Sequence, residues 1–258
     1  MTEIRPIKLE EADAFLELLC GTFTLDLERA RGIFYTEPLF DLKRKWALFE
    51  GGEMIAILTT TPLHFGWGDA YGIAGVATKK DRRGEGHATR LLERVHKESA
   101  KMGETGALLF AKETQLYEKN GFEPIDRVIR APLIAADPGE PGPGLENEKI
   151  REIYDQWAAG HPDRLRRDEQ RWRYWLWHYR ICSPYQSGYL CAEPGVLRES
   201  IFDSHASALP IHGGSEWFGT THMTDQLDIP LAAQPRVELF FMGKDIPGIP
   251  QMFMTDQF

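Results

Sequence analysis

The stretch that decides the fold reads Val76-Ala77-Thr78-Lys79-Lys80-Asp81-Arg82-Arg83-Gly84-Glu85-Gly86-His87-Ala88-Thr89-Arg90-Leu91-Leu92. An apolar strand at residues 71–78 is predicted to run into a basic loop that opens directly into an amphipathic helix. A helix start attracts anions because it carries unpaired backbone N–H groups and a partial positive charge. Gly84 and Gly86 allow close backbone approach, and Arg82 and Arg83 add charge. We therefore predict a pyrophosphate site, with a plain solvated turn as the alternative.

Two common phosphate-binding motifs do not fit this loop. In a dinucleotide fingerprint a third glycine would stand where this chain has Thr89, and no early β-α-β unit surrounds the loop. The Gly-Lys-Ser/Thr of a P-loop does not follow either. The loop therefore indicates an anion site of another class.

Composition and charge favour a globular protein that acts on a cation. The chain has 258 residues, 42% hydrophobic, with net charge −9 and pI near 5.4. An acidic chain is a poor partner for nucleic acid and a better one for an amine. Its cysteines and histidines form no disulfide or metal pattern, so no metal is expected. The chain shows no signal-like or membrane-length apolar run, which predicts a cytoplasmic protein without membrane contact.

The order of elements predicts an α/β fold with a mixed sheet, followed by a smaller α+β domain. In the first half, strands are predicted at residues 4–8, 46–58 (a hairpin), 70–78, 107–111 and 122–133, and helices at 10–19, 27–34, after the loop and at 113–119. In the second half, helices are predicted at 148–159 and 164–179, and strands at 188–192, 196–202, 216–221 and 237–242. These elements suggest a first domain at 1–134, a Pro/Gly-rich linker at 135–147 and a second domain at 148–258.

The helix predicted at residues 164–179 has an aromatic face and a basic face. The apolar face comprises Trp172, Trp175, Leu176 and Tyr179, and the interleaved arginines are Arg171, Arg173 and Arg180. In an acidic chain we interpret this as a packed helix with a charged outer face rather than a nucleic-acid surface. The tail at 251–258 stays apolar to its last residue, which predicts that it packs against the protein.

The deciding stretch resembles the GNAT superfamily of acetyl-CoA-dependent N-acetyltransferases. Its Arg/Gln-x-x-Gly-x-Gly/Ala signature is matched at Arg83-Gly84-Glu85-Gly86-His87-Ala88. The Leu-Tyr-x-x-x-Gly-Phe that follows the next strand is matched at Leu116-Tyr117-Glu118-Lys119-Asn120-Gly121-Phe122. The similarity spans residues 2–133, and it implies a GNAT fold whose sheet splays apart at the cofactor.

The resemblance implies specific roles for the residues of the deciding stretch and for Tyr117. Acetyl-CoA would be bound by Val76, Ala77, Thr78, Arg82, Arg83, Gly84, Glu85, Gly86, His87, Ala88 and Thr89. Tyr117 would assist the departing thiolate. Full proton transfer from a phenol of pKa ~10 to a thiol of pKa ~8.5 is uphill by about 2 kcal/mol, so a strong hydrogen bond is the better role. The alternative is a tyrosine that only packs beside Phe122.

The second half is similar to the segment that follows the first domain in Eis-like acetyltransferases. The likeness lies at Ile150-Arg151-x-Ile153-Tyr154 and Arg166-Arg167-Asp168-Glu169-x-Arg171-Trp172. That family has a degenerate GNAT-like second domain and then a third, which we expect to be missing or much reduced here. Its chain end reaches the first active site. This implies that the Phe258 α-carboxylate acts as general base or orients a water that does, with an ordinary edge strand as the alternative; Glu50, Glu53 and Asp69 are other candidate bases.

Together these features predict an acetyl-CoA-dependent N-acetyltransferase that acts on a primary amine of a small molecule or peptide. Acetyl-CoA is a co-substrate, and transfer is direct within a ternary complex. The alternative is a catalytically silent CoA-binding sensor or scaffold protein. The resemblance also implies homo-oligomerisation.

Overall fold

The computed structural model describes residues 2–140, 143–178, 181–202 and 205–258. The strands are β1 (Thr2–Pro6), β2 (Lys45–Glu50), β3 (Glu53–Phe65), β4 (Gly68–Thr78), β5 (Glu104–Ala111), β6 (Glu123–Pro132), β7 (Ala135–Ala136), β8 (Ile181–Tyr185), β9 (Gly188–Glu193), β10 (Val196–Ile201), β11 (Leu209–Pro210), β12 (Glu216–Thr220) and β13 (Arg236–Lys244). The α-helices are α1 (Ala12–Phe23), α2 (Leu27–Thr36), α3 (His87–Lys101), α4 (Gln115–Glu118), α5 (Asn147–Ala159), α6 (Glu169–Trp177) and α7 (Thr221–Gln226). Short 3-10 helices lie at Leu9–Glu11, Leu42–Arg44, Lys80–Arg82 and Met254–Asp256.

One mixed sheet runs through the molecule, in the order β1-β2-β3-β4-β5-β13-β6-β12-β10-β9-β8. The predicted hairpin is present as β2 and β3. Its turn places Gly51 and Gly52 at φ 59° and 89°, the conformation that tight hairpins need. β4 and β5 are parallel and are joined by α3, as in a β-α-β crossover. The mixed α/β class is therefore confirmed.

Strand β13 comes from the second half but lies between β5 and β6 of the first half. It is antiparallel to both, with Phe240 opposite Ala111 and Val237 opposite Ile129. The sheet then continues into the second half through β6 and β12. The division at residues 134 and 148 stays a prediction, since the two halves share one sheet.

The two faces of the first half carry separate cores. On one face α3 packs against Tyr71, Ile73 and Leu109, with Tyr117 at its margin. On the other face α1 and α2 pack against Met54 and Ile57 of β3. Because strand side chains alternate, Leu63 and Phe65 of β3 lie on that second face too, where they join the last residues of the chain.

The helix predicted from residue 164 begins only at Glu169. Residues 164–168 are extended, because Arg166 bridges to His64 of β3 and Arg164 to Gln251 of the tail. Asp168 then caps the helix by accepting a hydrogen bond from the Arg171 N–H at 2.7 Å.

The face prediction for this helix was partly wrong. Trp172 and Trp175 are buried, but Leu176 is exposed. Arg171, expected on the charged outer face, is 2% exposed, because its guanidinium is held inside the protein by backbone carbonyls. Tyr179 and Arg180 lie outside the described residues.

The tail is packed, as predicted, but it forms a 3-10 turn rather than a strand. Helix α4 is shorter than predicted, and α7 and β8 were not predicted. Within the ranges given above, no helix is long and apolar enough to cross a bilayer.

Candidate active site

The loop between β4 and α3, residues 79–86, presents a helix start to solvent; we call it the anion loop. Gly84 and Gly86 have φ of 85° and 78°. A Cβ at either would meet nothing within 4 Å, so it is the left-handed backbone that favours glycine there. Arg90 donates the first helical bond to the Gly86 carbonyl at 3.1 Å. In the described part of the chain, the three N–H groups of residues 87–89 have no acceptor and no side chain caps them, which leaves them available to an anion.

A network of ion pairs holds the anion loop in place. Arg82 donates to Glu50 at 2.7 Å and to Glu85 at 2.8 Å, and Arg90 donates to Glu50 at 3.0 Å. The bonds from Arg82 lower the pKa of Glu85 to about 2 and hold that of Glu50 below its ordinary value. His87 is 2% exposed and contacts Glu85 at 3.0 Å. These ion pairs hold the loop in place, and residues 83–86 are exposed to solvent.

The sheet opens beside this loop, between β4 and β5. Parallel pairing runs from Asp69–Glu104 to Ile73–Leu109 and stops there. Beyond Ile73, the one described strand that pairs with β4 is β3, as far as Thr78. A strand with one open edge can pair with an extended chain that carries amide groups.

A bulge on β4 lies at the start of this opening. Gly75 and Val76 together oppose Leu58, and Gly75 has a φ of 61°. The side chain of Leu19, on α1, packs closely against Gly75. The bulge thus changes the direction of the β4 backbone at the point where β4 separates from β5.

Tyr117 is held by the turn that ends α4. The Phe122 N–H donates to the Tyr117 carbonyl at 3.1 Å and the Gly121 N–H to the Glu118 carbonyl at 3.0 Å, with Gly121 at φ 81°. This is a Schellman motif, whose usual apolar contact is made by the edge-on rings of Tyr117 and Phe122. Asn120 links the turn to the first turn of α3 through Thr89, at 3.3 Å.

The hydroxyl of Tyr117 makes no hydrogen bond to any residue that the structure describes, and burial raises the pKa of its phenol. It is therefore a neutral donor without an internal acceptor. It lies on the α3 face of the sheet, against the core that contains Ile73 and Leu109, the last pair before β4 and β5 separate.

The last residue of the chain lies on the opposite face of the same opening. The ring of Phe258 covers Gly72, where a Cβ would lie 2.4 Å from the ring. It also contacts Phe110 of β5, with ring centroids 5.4 Å apart. Since Gly72 immediately precedes Ile73, the ring lies at the point where the two strands separate.

An open cavity lies on the Phe258 face of the sheet, where α1 meets α2. Its volume is about 490 Å³, and its lining includes Glu17, Cys20, Leu25 and Asp26. It offers two carboxylates and apolar surface on the side of the sheet away from α3.

Comparison with known proteins identifies the first half. Residues 3–125 match a family model described as acetyltransferase (GNAT) domain. They form a GNAT acetyltransferase domain. The chain is accordingly an acetyl-CoA-dependent acyltransferase. No curated protein sequence matches it.

Solved structures share the fold over nearly the whole chain, at low sequence identity. A GCN5-related N-acetyltransferase from Kribbella flavida is 18% identical, with TM-score 0.73 over 94% of this chain and 70% of its own. A putative acetyltransferase from Pyrococcus horikoshii is 16% identical, with TM-score 0.68 over 97% and 91%. Eis1 from Mycobacterium abscessus is 16% identical, with TM-score 0.60 over 93% and 73%. The resemblance to GNAT and Eis-like folds is thus confirmed.

The GNAT domain brings most of the predicted site residues to one place. Residues 76–78 form the open edge of β4, and 83–89 form the outward loop and helix start. Arg82 and His87 are turned to the bracing network instead. Direct contact with a cofactor stays a prediction for all of these residues.

The alternative bases are engaged elsewhere. Glu50 belongs to the network under the anion loop, and Glu53 pairs with Lys79. Asp69 binds His64 at 2.7 Å and lies four residues before Ile73, about 13 Å along the strand. Of the candidates, Phe258 is the one placed at the opening.

Sequence reasoning missed Gly72 and Gly75. Two glycines inside one strand prediction were a usable signal, since glycine in a strand often marks a bulge or a close approach by another chain segment. It also missed the buried arginines that hold the tail, for which the sequence carries no comparable signal. Within the described ranges, no group of three or more His, Cys, Asp or Glu residues could hold a metal ion.

Proposed function

We propose that the chain is an N-acetyltransferase that moves the acetyl group of acetyl-CoA to a primary amine by direct attack in a ternary complex. The observation that carries this proposal is the placement of Tyr117 and Phe258 on opposite faces of the opening between β4 and β5. A thioester lying in the opening would be reachable by an amine from the Phe258 side and by a hydrogen-bond donor from the Tyr117 side.

The cofactor would occupy the anion loop and the open edge of β4. The pyrophosphate would accept hydrogen bonds from the N–H groups of residues 87–89, with the helix charge in support. The pantetheine amides would pair with residues 76–78. The chemistry that acetyl-CoA supplies is an acetyl thioester.

Tyr117 would act as a hydrogen-bond donor to the sulfur. Its raised pKa keeps the phenol protonated across the physiological range, so it can stabilise the developing thiolate without giving up its proton.

Phe258 would receive the proton of the amine. A primary amine is protonated at neutral pH and must lose a proton to become a nucleophile. The α-carboxylate of Phe258 would take that proton or orient a water that does. Burial would have to raise its basicity, since an unperturbed α-carboxyl has a pKa of about 3.3–3.7.

The acceptor would be a cationic amine on a small molecule or peptide. The net charge of −9 favours cations in general.

The test is release of free CoA thiol from acetyl-CoA with a polyamine, a lysine peptide and an aminoglycoside. We expect turnover with at least one. Tight acetyl-CoA binding without turnover on any of them would contradict the proposal and support a CoA-binding sensor. The role of the chain end is tested separately by adding two residues after Phe258, where an unchanged kcat would remove the tail from the mechanism.

A further inference from the structure

The tail is held by a buried ion-pair cluster in the second half. Its members are Arg167, Glu199 and Asp256, whose side chains are all 0% exposed. Buried charges are costly unless each is paired and fully hydrogen-bonded. One member of this cluster, Asp256, lies two residues before Phe258.

The arginine at its centre is bonded on both sides. Arg167 donates to Asp256 through Nε at 3.0 Å and Nη2 at 2.6 Å. It donates to Glu199 through Nη1 at 3.1 Å and Nη2 at 2.7 Å. Two hydrogen bonds between one guanidinium and one carboxylate fix the orientation of the two groups as well as their separation.

The surrounding side chains complete the hydrogen bonding of the cluster. Glu199 also accepts from Trp175 Nε1 at 2.8 Å and from the hydroxyls of Tyr189 and Thr255. The Arg167 guanidinium stacks on the ring of Tyr154, 3.7 Å from its centroid. The cluster therefore has one well-defined geometry, and Asp256 shares it.

A second buried arginine ties this point of the tail to the GNAT sheet. Arg171 donates to the carbonyl of Pro62, on β3, at 2.8 Å and to that of Asp256 at 3.4 Å. Pro62 pairs with Tyr71, the neighbour of Gly72. The position of Asp256 is thus set relative to the strand that Phe258 covers.

We propose that Arg167 and Arg171 are positioning residues that act through Asp256 to hold Phe258 at the opening between β4 and β5. Two residues of extended chain span at most about 7 Å, so anchoring residue 256 confines residue 258 to a small volume. This inference rests on the proposed role of the chain end. It assigns the second half a specific task, which is to fix that end.

The main variant is Asp256→Asn. It keeps the shape of the side chain and leaves Arg167 paired with Glu199. The control is Glu193→Gln, which removes the carboxylate of a more exposed second-half ion pair, Arg198–Glu193 at 2.9 Å. Should Asp256→Asn fail to fold, Arg171→Lys keeps the charge but cannot reach both carbonyls.

Two readouts separate positioning from plain stability. We expect Asp256→Asn to lower kcat at least tenfold with the best acceptor of the panel, while the KM for acetyl-CoA changes less than twofold. We also expect carboxypeptidase A to release Phe258 at least tenfold faster than from the native protein, as followed by intact mass. Glu193→Gln should leave both unchanged. Native kcat and a native release rate in Asp256→Asn and Arg171→Lys would overturn the proposal.

Deleting Phe258 distinguishes this inference from the proposed function. If deletion leaves kcat unchanged, the tail has no catalytic role and the proposed mechanism fails first. If deletion lowers kcat but Asp256→Asn does not, only the positioning role fails. We expect deletion to lower kcat, and Asp256→Asn to add no further loss in the deleted chain.

Discussion

Substituting Gly72 by alanine would test directly whether Phe258 lies on β4 in solution. The new Cβ would lie 2.4–2.5 Å from three ring atoms of Phe258. Ordinary contact begins near 3.4 Å, so the ring must move by about 1 Å. The φ of Gly72 is not in the left-handed region, so the backbone itself accepts alanine.

The expected cost follows from that displacement. Overpacking of a well-fitted site costs about 1–3 kcal/mol of unfolding free energy. A shift of about 1 Å in a reacting group can lower a rate by about a hundredfold. We therefore expect Gly72→Ala to lower the free energy of unfolding by about 1–3 kcal/mol and to remove most of kcat.

The assay is a double-mutant cycle of Gly72→Ala and Phe258→Ala, read by urea denaturation and by thiol release. Without the ring the new methyl group has room, so Gly72→Ala should cost less than about 0.5 kcal/mol in the Phe258→Ala chain. Gly32→Ala, in helix α2 with nothing within 4 Å, is the control and should be neutral or slightly stabilising. An equal cost of Gly72→Ala in both backgrounds would refute the placement of the tail.

Three further predictions concern other parts of the molecule. Tyr117→Phe should lower kcat by about 10²-fold with little change in the KM for acetyl-CoA, and a native-like kcat in the variant would exclude the role. Because burial raises the pKa of Tyr117, the kcat of the native protein measured against pH should show no loss of this donor up to its ordinary pKa of 10.0. Gly86→Ala should weaken acetyl-CoA binding at least tenfold, as measured by calorimetry. Gly195→Ala is the control, because Gly195 has a similar positive φ and no atom within 4 Å of a new Cβ, and it should not weaken binding. Equal effects of the two variants would indicate that backbone strain alone is responsible. Arg5 lowers the pKa of Glu11 to about 2 from 4.5, so this pair stabilises the fold above pH 4.5 and its contribution is lost as pH falls towards 2. The free energy of unfolding of Glu11→Gln, measured in urea, should therefore fall less between pH 4.5 and pH 2 than that of the native protein. An equal fall in the two proteins would contradict this.

The parts of the fold that sequence could predict were those with local causes. Gly51-Gly52 requires a hairpin turn, and Gly121 ends α4 in a Schellman motif. The anion loop was predictable because its glycines and the following helix start form one local unit. The placement of β13 was not, since a strand pattern does not name its partner. Arg171 was assigned to the wrong face because nothing in a helical pattern shows that backbone carbonyls from β3 and the tail will surround it.

The position of β13 bears on how the protein can be made. β5 pairs with β4 on one edge, but its other edge finds a partner only at residues 240–244, so much of the chain must leave the ribosome before this sheet closes. Until then β5 and β6 each present an open edge, which is a template for pairing with other chains. A fragment ended after the GNAT motifs would keep those edges permanently. Expression of the catalytic half alone should therefore give aggregation rather than a smaller enzyme.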